Sequence, residues 1–280
     1  MSNPQQPILT KFDEDDQKGV SKALGVRYLS SKNQLVEDLV MDEHPVALVY
    51  NELSHVVMMV TPVDLENFAV GFSLSEGIIS NCHELYDLEI VQSNLGIEIN
   101  MTISARAFAQ LKSKRRAMMG RTGCGLCGIE SLQQLEIDTP QISHRYQQDC
   151  LQFIPIALKQ LPTKQPMTLA TGGAHAAAWV TLDGQLLAVF EDIGRHNALD
   201  KLLGFLSLND HDLKTGFVLI TSRASYELVR KCAKLDIALL ASISAPTALA
   251  ITLAEGAGMG LASFCRGDGY VVYTTVSSPL

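Results

Sequence analysis

Two thiols three residues apart, Cys124 and Cys127, sit in the run Gly120-Arg-Thr-Gly-Cys-Gly-Leu-Cys-Gly128. Glycine around both describes a loop able to present sulfur to more than one partner. Just upstream, Lys112, Lys114, Arg115, Arg116 and Arg121 place five positive charges in ten residues. Nearby cations favour the thiolate, which is the nucleophile, and attract phosphate-bearing ligands. Three chemistries compete for the pair. A structural zinc site needs two more ligands, and His144 and Cys150 complete a C-x2-C-x16-H-x5-C string that slightly misses the usual spacing. Thioredoxin-like exchange wants the pair to open a helix directly after a strand, whereas here it follows a basic helical run. Sulfur relay through a persulfide needs a nucleophilic Cys on a mobile loop, which the composition supplies. A solvated basic helix face beside two incidental cysteines is the plainer alternative. The residues alone leave these open, with the relay only slightly ahead.

The second half of the chain supplies another set of polar turns. Ala170-Thr-Gly-Gly-Ala-His175 brings two glycines, a hydroxyl and an imidazole together, as a backbone anion cradle does, although neither G-x-G-x-x-G nor a Walker loop is present. Glu191-Asp-Ile-Gly-Arg-His-Asn197 packs two carboxylates, a guanidinium and an imidazole around one glycine. Ser222-Arg-Ala-Ser225 and Ser244-Ala-Pro-Thr247 place hydroxyls and Arg223 at helix starts, where N-capping explains each hydroxyl singly. Capping does not explain why Arg195, His196 and Arg223 fall at equivalent positions of successive units. That convergence points to an anionic ligand. Cys82, Cys150 and Cys232 have no partner at an informative spacing and are expected to be buried or inert.

The elements that must position these groups fall into two textures. Residues 1–20 are polar, with Asp13-Glu-Asp-Asp16, and are expected to form a flexible tail. Residues 21–119 are expected to form a smaller α+β domain. In it Val46–Tyr50 and His55–Val60 make a hairpin, a helix capped by Thr61 carries Leu65, Phe68, Ala69 and Phe72, and two strands precede a helix from Ala105. A Cys-containing mobile loop and linker occupies 120–165, with Pro140, Pro155 and Pro162. From 166 to 280, Leu186–Phe190, Phe217–Thr221 and Ile237–Ile243 each lead through a polar turn into a helical run. Three such units predict an α/β domain with a largely parallel, helix-covered sheet, whose ligands bind beyond the carboxyl ends of the strands. The last segment predicts a hairpin turning at Gly267-Asp-Gly269, with Arg266 beside the turn.

Composition narrows the classes. The 280 residues hold 22 Lys+Arg against 30 Asp+Glu, a formal charge of −8, which excludes a generally basic nucleic-acid binder. With 47% hydrophobic and 19% charged residues the chain buries a large core, and six cysteines are too few for a secreted disulfide scaffold. The N-terminus lacks a basic start and apolar stretch, so a cytoplasmic protein is expected. Ile237–Ala254 carries no charge, but Pro246 and its neighbours divide it into a short strand and a short helix, so it is expected to be core and not a membrane span.

Taken in order, these residues resemble the FdhD family of formate dehydrogenase accessory sulfurtransferases, from about residue 20 onward. The resemblance rests on Thr61-Pro-Val-Asp-Leu-Glu66, Gly71-Phe72, Glu76-Gly77, Cys124-Gly-Leu-Cys-Gly128, Thr171-Gly-Gly-Ala-His175, Glu191–Lys201, Ser242-Ile-Ser-Ala-Pro-Thr247 and Phe264-x-Arg266. Two departures stand out: Thr221-Ser222-Arg223 replaces Ser-Gly-Arg, and Leu235-Asp236-Ile237-Ala238 replaces Ala-Gly-Ile-Pro. The resemblance implies a cytidine deaminase-like α/β/α C-terminal domain after the smaller α+β domain, and a homodimer. It implies a sulfur carrier that takes persulfide sulfur from a cysteine desulfurase and passes it to the molybdenum cofactor, as bis(molybdopterin guanine dinucleotide), before insertion into the formate dehydrogenase catalytic subunit. A cofactor-binding chaperone without catalysis and a zinc-stabilised nucleotide-binding protein are the alternatives. Deaminase chemistry is not implied, because His175 is followed by Ala176-Ala177 and Gly123 precedes the Cys pair. By the resemblance Cys124 holds the sulfane sulfur, Cys127 assists, and the cofactor lies against Phe264, Cys265, Arg266, Gly267, Asp268 and Gly269, with Arg195 and Arg223 on its phosphate or guanine groups. No resident metal, nucleic acid or membrane partner is expected.

Overall fold

A computed structural model describes residues 19–30, 32–119 and 140–274, the side chains of 116–119 excepted. Residues 1–18 of the expected tail, Cys124, Cys127, Arg121 and the side chain of Arg116 lie outside the described residues. An antiparallel ribbon of β1 (Val20–Leu29) and β2 (Lys32–Met41) comes first and joins neither main sheet. A four-stranded sheet follows, built from β3 (His44–Tyr50), β4 (Leu53–Val60), β5 (Leu85–Ser93) and β6 (Gly96–Ile103) in the order β4-β3-β6-β5. The helices α1 (Leu65–Ser75) and α2 (Ala105–Met119) complete this unit close to the expected bounds.

Thr61 does not cap α1 as expected. Asp64 is the residue before the helix, at φ 54° and with no side-chain capping bond, while Thr61 is buried three residues earlier with another task. From Phe68 to Ser75 every residue of α1 is buried, because the helix is enclosed between the small sheet and a helix of the second unit.

Pro155, Pro162 and Pro166 sit in the first turns of helices instead of in loops. Beyond a 3-10 turn at Gln148–Phe153, α3 (Ile154–Gln160) has Pro155 in its first turn, a 3-10 turn at Leu161–Lys164 contains Pro162, and α4 (Pro166–Thr171) opens on Pro166. Proline lacks only an N–H that a first helical turn leaves unpaired anyway. Cys150, Leu151, Ile154, Ala157 and Leu161 bury themselves against the second sheet.

That sheet contains β7 (His175–Thr181), β8 (Leu186–Asp192), β9 (Gly216–Ile220), β10 (Leu239–Ser242), β11 (Gly260–Arg266) and β12 (Gly269–Val272), in the order β12-β11-β10-β9-β7-β8. The helices α5 (Arg195–Leu208), α6 (Tyr226–Lys234) and α7 (Ala248–Ala257) follow β8, β9 and β10. Only β9–β10 and β10–β11 pair in parallel. The expected parallel sheet is therefore mixed: β7, an Ala-rich strand, enters antiparallel between β8 and β9 because a short turn ties it to β8. Leu240 and Leu261 face α5 to α7, and Leu239 and Ala262 face the 148–161 helical stretch, giving three layers. The uncharged Ile237–Ala254 run resolves into β10 and α7 as expected, and no helix among the described residues is long and apolar enough to cross a membrane.

The two units meet through backbone. A Cβ on Gly71 of α1 would lie 1.8 Å from the Asp200 carbonyl oxygen, and one on Gly204 of α5 1.9 Å from that of Asn67. Only glycine at both positions lets α1 and α5 cross this closely. Around the crossing, the buried Lys231 ammonium contacts Asp200 at 2.8 Å and Glu76 at 2.9 Å, and Arg230 contacts Glu76 at 2.7 Å.

Candidate functional site

Since β8, β9, β10 and β11 point one way and β7 and β12 the other, one end of the large sheet gathers four carboxyl ends and two amino ends. At this end lie Asp192–His196, His175, Thr221–Ser225, Ser242–Thr247 and Phe264–Gly269. The geometry thus brings to one end of the sheet all eight described residues for which the resemblance implies cofactor binding. They do not converge on one point: β9 and β11 are two strand spacings apart, roughly 10 Å, so Arg223 and Arg266 suit an elongated ligand.

The turn that carries Arg195 is set by a buried carboxylate. Asp192 accepts from the Gly194 N–H at 2.8 Å, the Asn197 side-chain amide at 2.9 Å, the Thr61 N–H at 3.1 Å and the Lys201 ammonium at 2.7 Å, with Asp192 and Lys201 fully buried. Lys201 also donates to the Thr61 and Glu191 carbonyls, and the Thr61 hydroxyl accepts from the Ile193 N–H. Burial presses the Lys201 ammonium below its ordinary range while Asp192 opposes the shift. The small-sheet unit thereby fixes the first turn of α5, a role for Thr61 and Lys201 that no local spacing announces. Glu191, one residue earlier, accepts from the Met167 and Thr168 N–H groups and the Thr168 hydroxyl, capping α4 from across the chain. Both carboxylates of this motif are structural.

Across the sheet end, Phe264 holds φ 53°, a left-handed conformation that a bulky side chain rarely adopts. The register with β12 shifts between Ser263 and Arg266, and the Phe264 N–H donates to the Ser244 carbonyl at 3.1 Å. The outcome is an aromatic ring left 41% exposed, its nearest ring partner Tyr273 at 6.5 Å between centroids. Cys265 points the opposite way into the core, where burial pushes its thiol up to about 11, so only its backbone faces the site. Arg266 is exposed and donates to the Ile243 carbonyl at 3.3 Å, Gly267 takes φ 57° in the turn, Asp268 pairs with Lys159 at 2.9 Å, and Gly269 stands opposite Arg266.

On the other flank His196 contacts the Glu227 carboxylate at 2.5 Å and Arg195 approaches the same oxygen at 4.0 Å. Burial, and then the Arg195 charge, lower the His175 pKa, with Asp192 opposing. Thr247 caps α7 through the Ala250 N–H, but Ser225, before α6, makes no capping bond, and its hydroxyl is buried without a partner. Glu227 was not singled out from sequence; the signal was its place as an acidic residue in the first turn of α6.

Other expectations resolve differently. Gly172 of the Thr-Gly-Gly run takes φ 68° and ends α4 as an ordinary left-handed helix stop, and the Gly173 N–H donates to the Thr171 hydroxyl. Of the zinc alternative's added ligands, His144 lies 3.5 Å from Asp236, and Cys150 is a core thiol pushed up to about 11 by burial. Lys114 donates to the Gly77 carbonyl and Arg115 to that of Ser54, while Lys112 lies over the Phe108 ring. Asp236 occupies the position where the resembled family has glycine; it takes φ 60° and offsets the strain by accepting from the Ser143 N–H and hydroxyl. A cleft of about 720 Å³ opens at the far ends of α5 and α6, away from the strand-end site. Its Lys114 and Lys234 sit by the carboxyl ends of α1 and α6, as dipole compensation requires.

Residues 41–278 match the model of the FdhD/NarQ family. The chain belongs to the FdhD/NarQ family. Among its relatives, the sulfur carrier protein FdhD of Acinetobacter baylyi is 55% identical over 257 residues, spanning 92% of this chain and 94% of that one. The sulfur carrier protein FdhD of Chromobacterium violaceum is 49% identical over 260 residues, spanning 92% and 96%. In fold, the chain resembles the crystal structure of a protein from Desulfotalea psychrophila assigned as a formate dehydrogenase accessory protein, at a TM-score of 0.70 and 24% identity over 92% of this chain and 97% of that one. The mixed α/β architecture is thus one that this family shares.

Proposed function

We propose that the chain is a sulfur carrier that holds sulfane sulfur on Cys124 and delivers it to a molybdenum cofactor of the bis(molybdopterin guanine dinucleotide) type, its substrate, for formate dehydrogenase. The observation that carries the reading is the near full-length match to relatives named sulfur carrier protein FdhD. In the loading step the Cys124 thiolate attacks the outer sulfur of a cysteine desulfurase persulfide. The donor's S–S bond breaks, a new one forms on Cys124, and the donor leaves as thiolate, with no net oxidation. In delivery, the Cys127 thiolate attacks Cys124 and displaces hydrosulfide toward the metal. The two thiols become a disulfide as the sulfane sulfur is reduced, and a cellular thiol reductant resets them. Phe264, Arg266 and the open backbone of Gly267–Gly269, with Arg195 and Arg223 on the other flank, are arranged to hold a long polyanion with a planar base.

The partners of this reading are the desulfurase, the dehydrogenase catalytic subunit and a second copy of the chain, in the cytoplasm, where thiols stay reduced. The β1–β2 ribbon supports the second copy. Leu24, Val26, Tyr28, Leu35 and Leu39 share one exposed face, and an isolated two-stranded ribbon is unstable in water unless such a face is covered. Lys22 and Glu37 on that face pair with each other at 3.4 Å. After incubation with desulfurase and cysteine, mass spectrometry should find one added sulfur atom on a peptide containing Cys124, and Cys124→Ala should abolish dehydrogenase activation. No adduct, or full activation by Cys124→Ala, refutes the carrier in favour of a cofactor-binding chaperone.

A further inference from the structure

The cleft of about 720 Å³ at the junction of the two units has no part in the strand-end site. Its floor is apolar, with Leu74 and Ile79 of the small-sheet unit and Leu206 of the larger one all buried, while Lys114 and Lys234 at its edge are exposed. A Cβ on Gly77 would lie 3.3 Å from the Lys234 ammonium and 3.9 Å from that of Lys114, so the two nitrogens stand within the sum of those lengths of each other. That is inside the screening length of about 8 Å at physiological salt, where like charges still repel. Neither ammonium pairs with a carboxylate among the described residues. The carboxyl ends of α1 and α6 present about half a negative charge each, so dipole compensation accounts for one ammonium and not for both. Lys114 donates to the Gly77 carbonyl at 3.2 Å, which leaves Lys234 as the surplus. His83 and His211 line the same cleft, and of its two carboxylates Asp236 is already engaged by Ser143 and His144. An apolar floor under a cationic edge suits an acidic segment that also carries an apolar side chain.

The position of the cleft selects among partners. Lys114 precedes Cys124 by ten residues, a span of at most about 35 Å of chain. The strand-end site lies where α5 and α6 begin, and the cleft lies where they end. We propose that this cleft docks the protein that donates persulfide sulfur, through an acidic segment whose carboxylates meet Lys114 and Lys234. This rests on the sulfur-carrier reading above. Donor and cofactor then occupy opposite ends of the same two helices and do not compete for one surface.

The test is the second-order rate of persulfide formation on Cys124, followed by mass spectrometry with two donors. One is a cysteine desulfurase with cysteine; the other is glutathione persulfide, which undergoes the same exchange and leaves as the glutathione thiolate. Reversing an exposed charge at an interface acts mainly on association, so Lys234→Glu should slow loading by the desulfurase about five- to tenfold, and the deficit should shrink at high salt. Glutathione persulfide needs no dock and should load the variant as fast as the parent. Lys164→Glu, in the layer on the other face of the large sheet, should match the parent with both donors. Equal losses with both donors overturn the proposal, because the ammonium would then act on the Cys124 thiolate through its field. Equal losses in Lys234→Glu and Lys164→Glu overturn it in favour of net charge. Undiminished loading of Lys234→Glu by the desulfurase also overturns it, and a fall in dehydrogenase activation alongside would assign the cleft to the sulfur acceptor instead. Failure of both donors to load the parent removes the sulfur-carrier reading and the dock with it.

Discussion

Replacing Lys201 by Met keeps the volume and apolar stem of the side chain and deletes the ammonium that meets Asp192 at 2.7 Å. Asp192 would keep three N–H donors but lose its only counter-ion among the described residues, in a fully buried position, and the Thr61 and Glu191 carbonyls would each lose a donor. Breaking a buried pair from one side costs about 3–5 kcal/mol. For a chain of this size that lowers the melting temperature by roughly 5–9 °C. Urea denaturation followed by circular dichroism measures it. Adding Asp192→Asn should restore part of the loss by removing the stranded charge. A cost below about 1 kcal/mol, or no recovery in the double variant, would mean that the ion pair does not hold the Arg195 turn as argued.

Two further outcomes follow from the same geometry. Burial alone would raise the Glu76 pKa, but Lys231 and Arg230 hold it down to about 2 from the ordinary 4.5. Its contribution is complete above the unfolded value and is lost as pH falls through that window, about 3 kcal/mol in all, so Glu76→Gln should flatten the acid limb of a stability-versus-pH curve. Phe264→Gly should leave stability unchanged or raise it by up to about 1 kcal/mol, by relieving the left-handed backbone, while weakening guanosine diphosphate binding; a loss beyond 1 kcal/mol would show that packing on Tyr273 outweighs the strain.

What the sequence disclosed was mostly short in range. The β3–β4 hairpin, the two following strands, α2 and the strand–turn–helix succession all have local patterns, and the structure places them within a few residues of expectation. The prolines at 155, 162 and 166 misled because proline both ends segments and starts helices, and only the burial of Leu151, Ile154 and Leu161 decides between the two. β7 escaped notice because Ala176-Ala-Ala178 has little strand propensity and is ordered by ladders on both sides. At the site, Arg195, His196 and Arg223 were legible from equivalent positions in successive units. Thr61, Asp192 and Lys201 were not legible as a unit, because their coupling spans half of the chain. Asp236 tells the same story: a residue in a glycine conformation makes sense only with Ser143, which comes from 93 positions away.

The contact between Thr61 and Asp192 joins residues 131 positions apart. At ordinary translation speeds of about 5–20 residues per second, the nascent small-sheet unit waits on the order of ten seconds before its docking carboxylate is made. Until then α1 has an apolar flank with no α5 to cover it, a stage at which a chaperone or a stalled ribosome would meet it. The arginine turn matures only with the last third of the chain, so an aborted or clipped product lacks the flank that would grip a nucleotide. Under the proposed function, holding the cofactor would thus be reserved for molecules that have been finished.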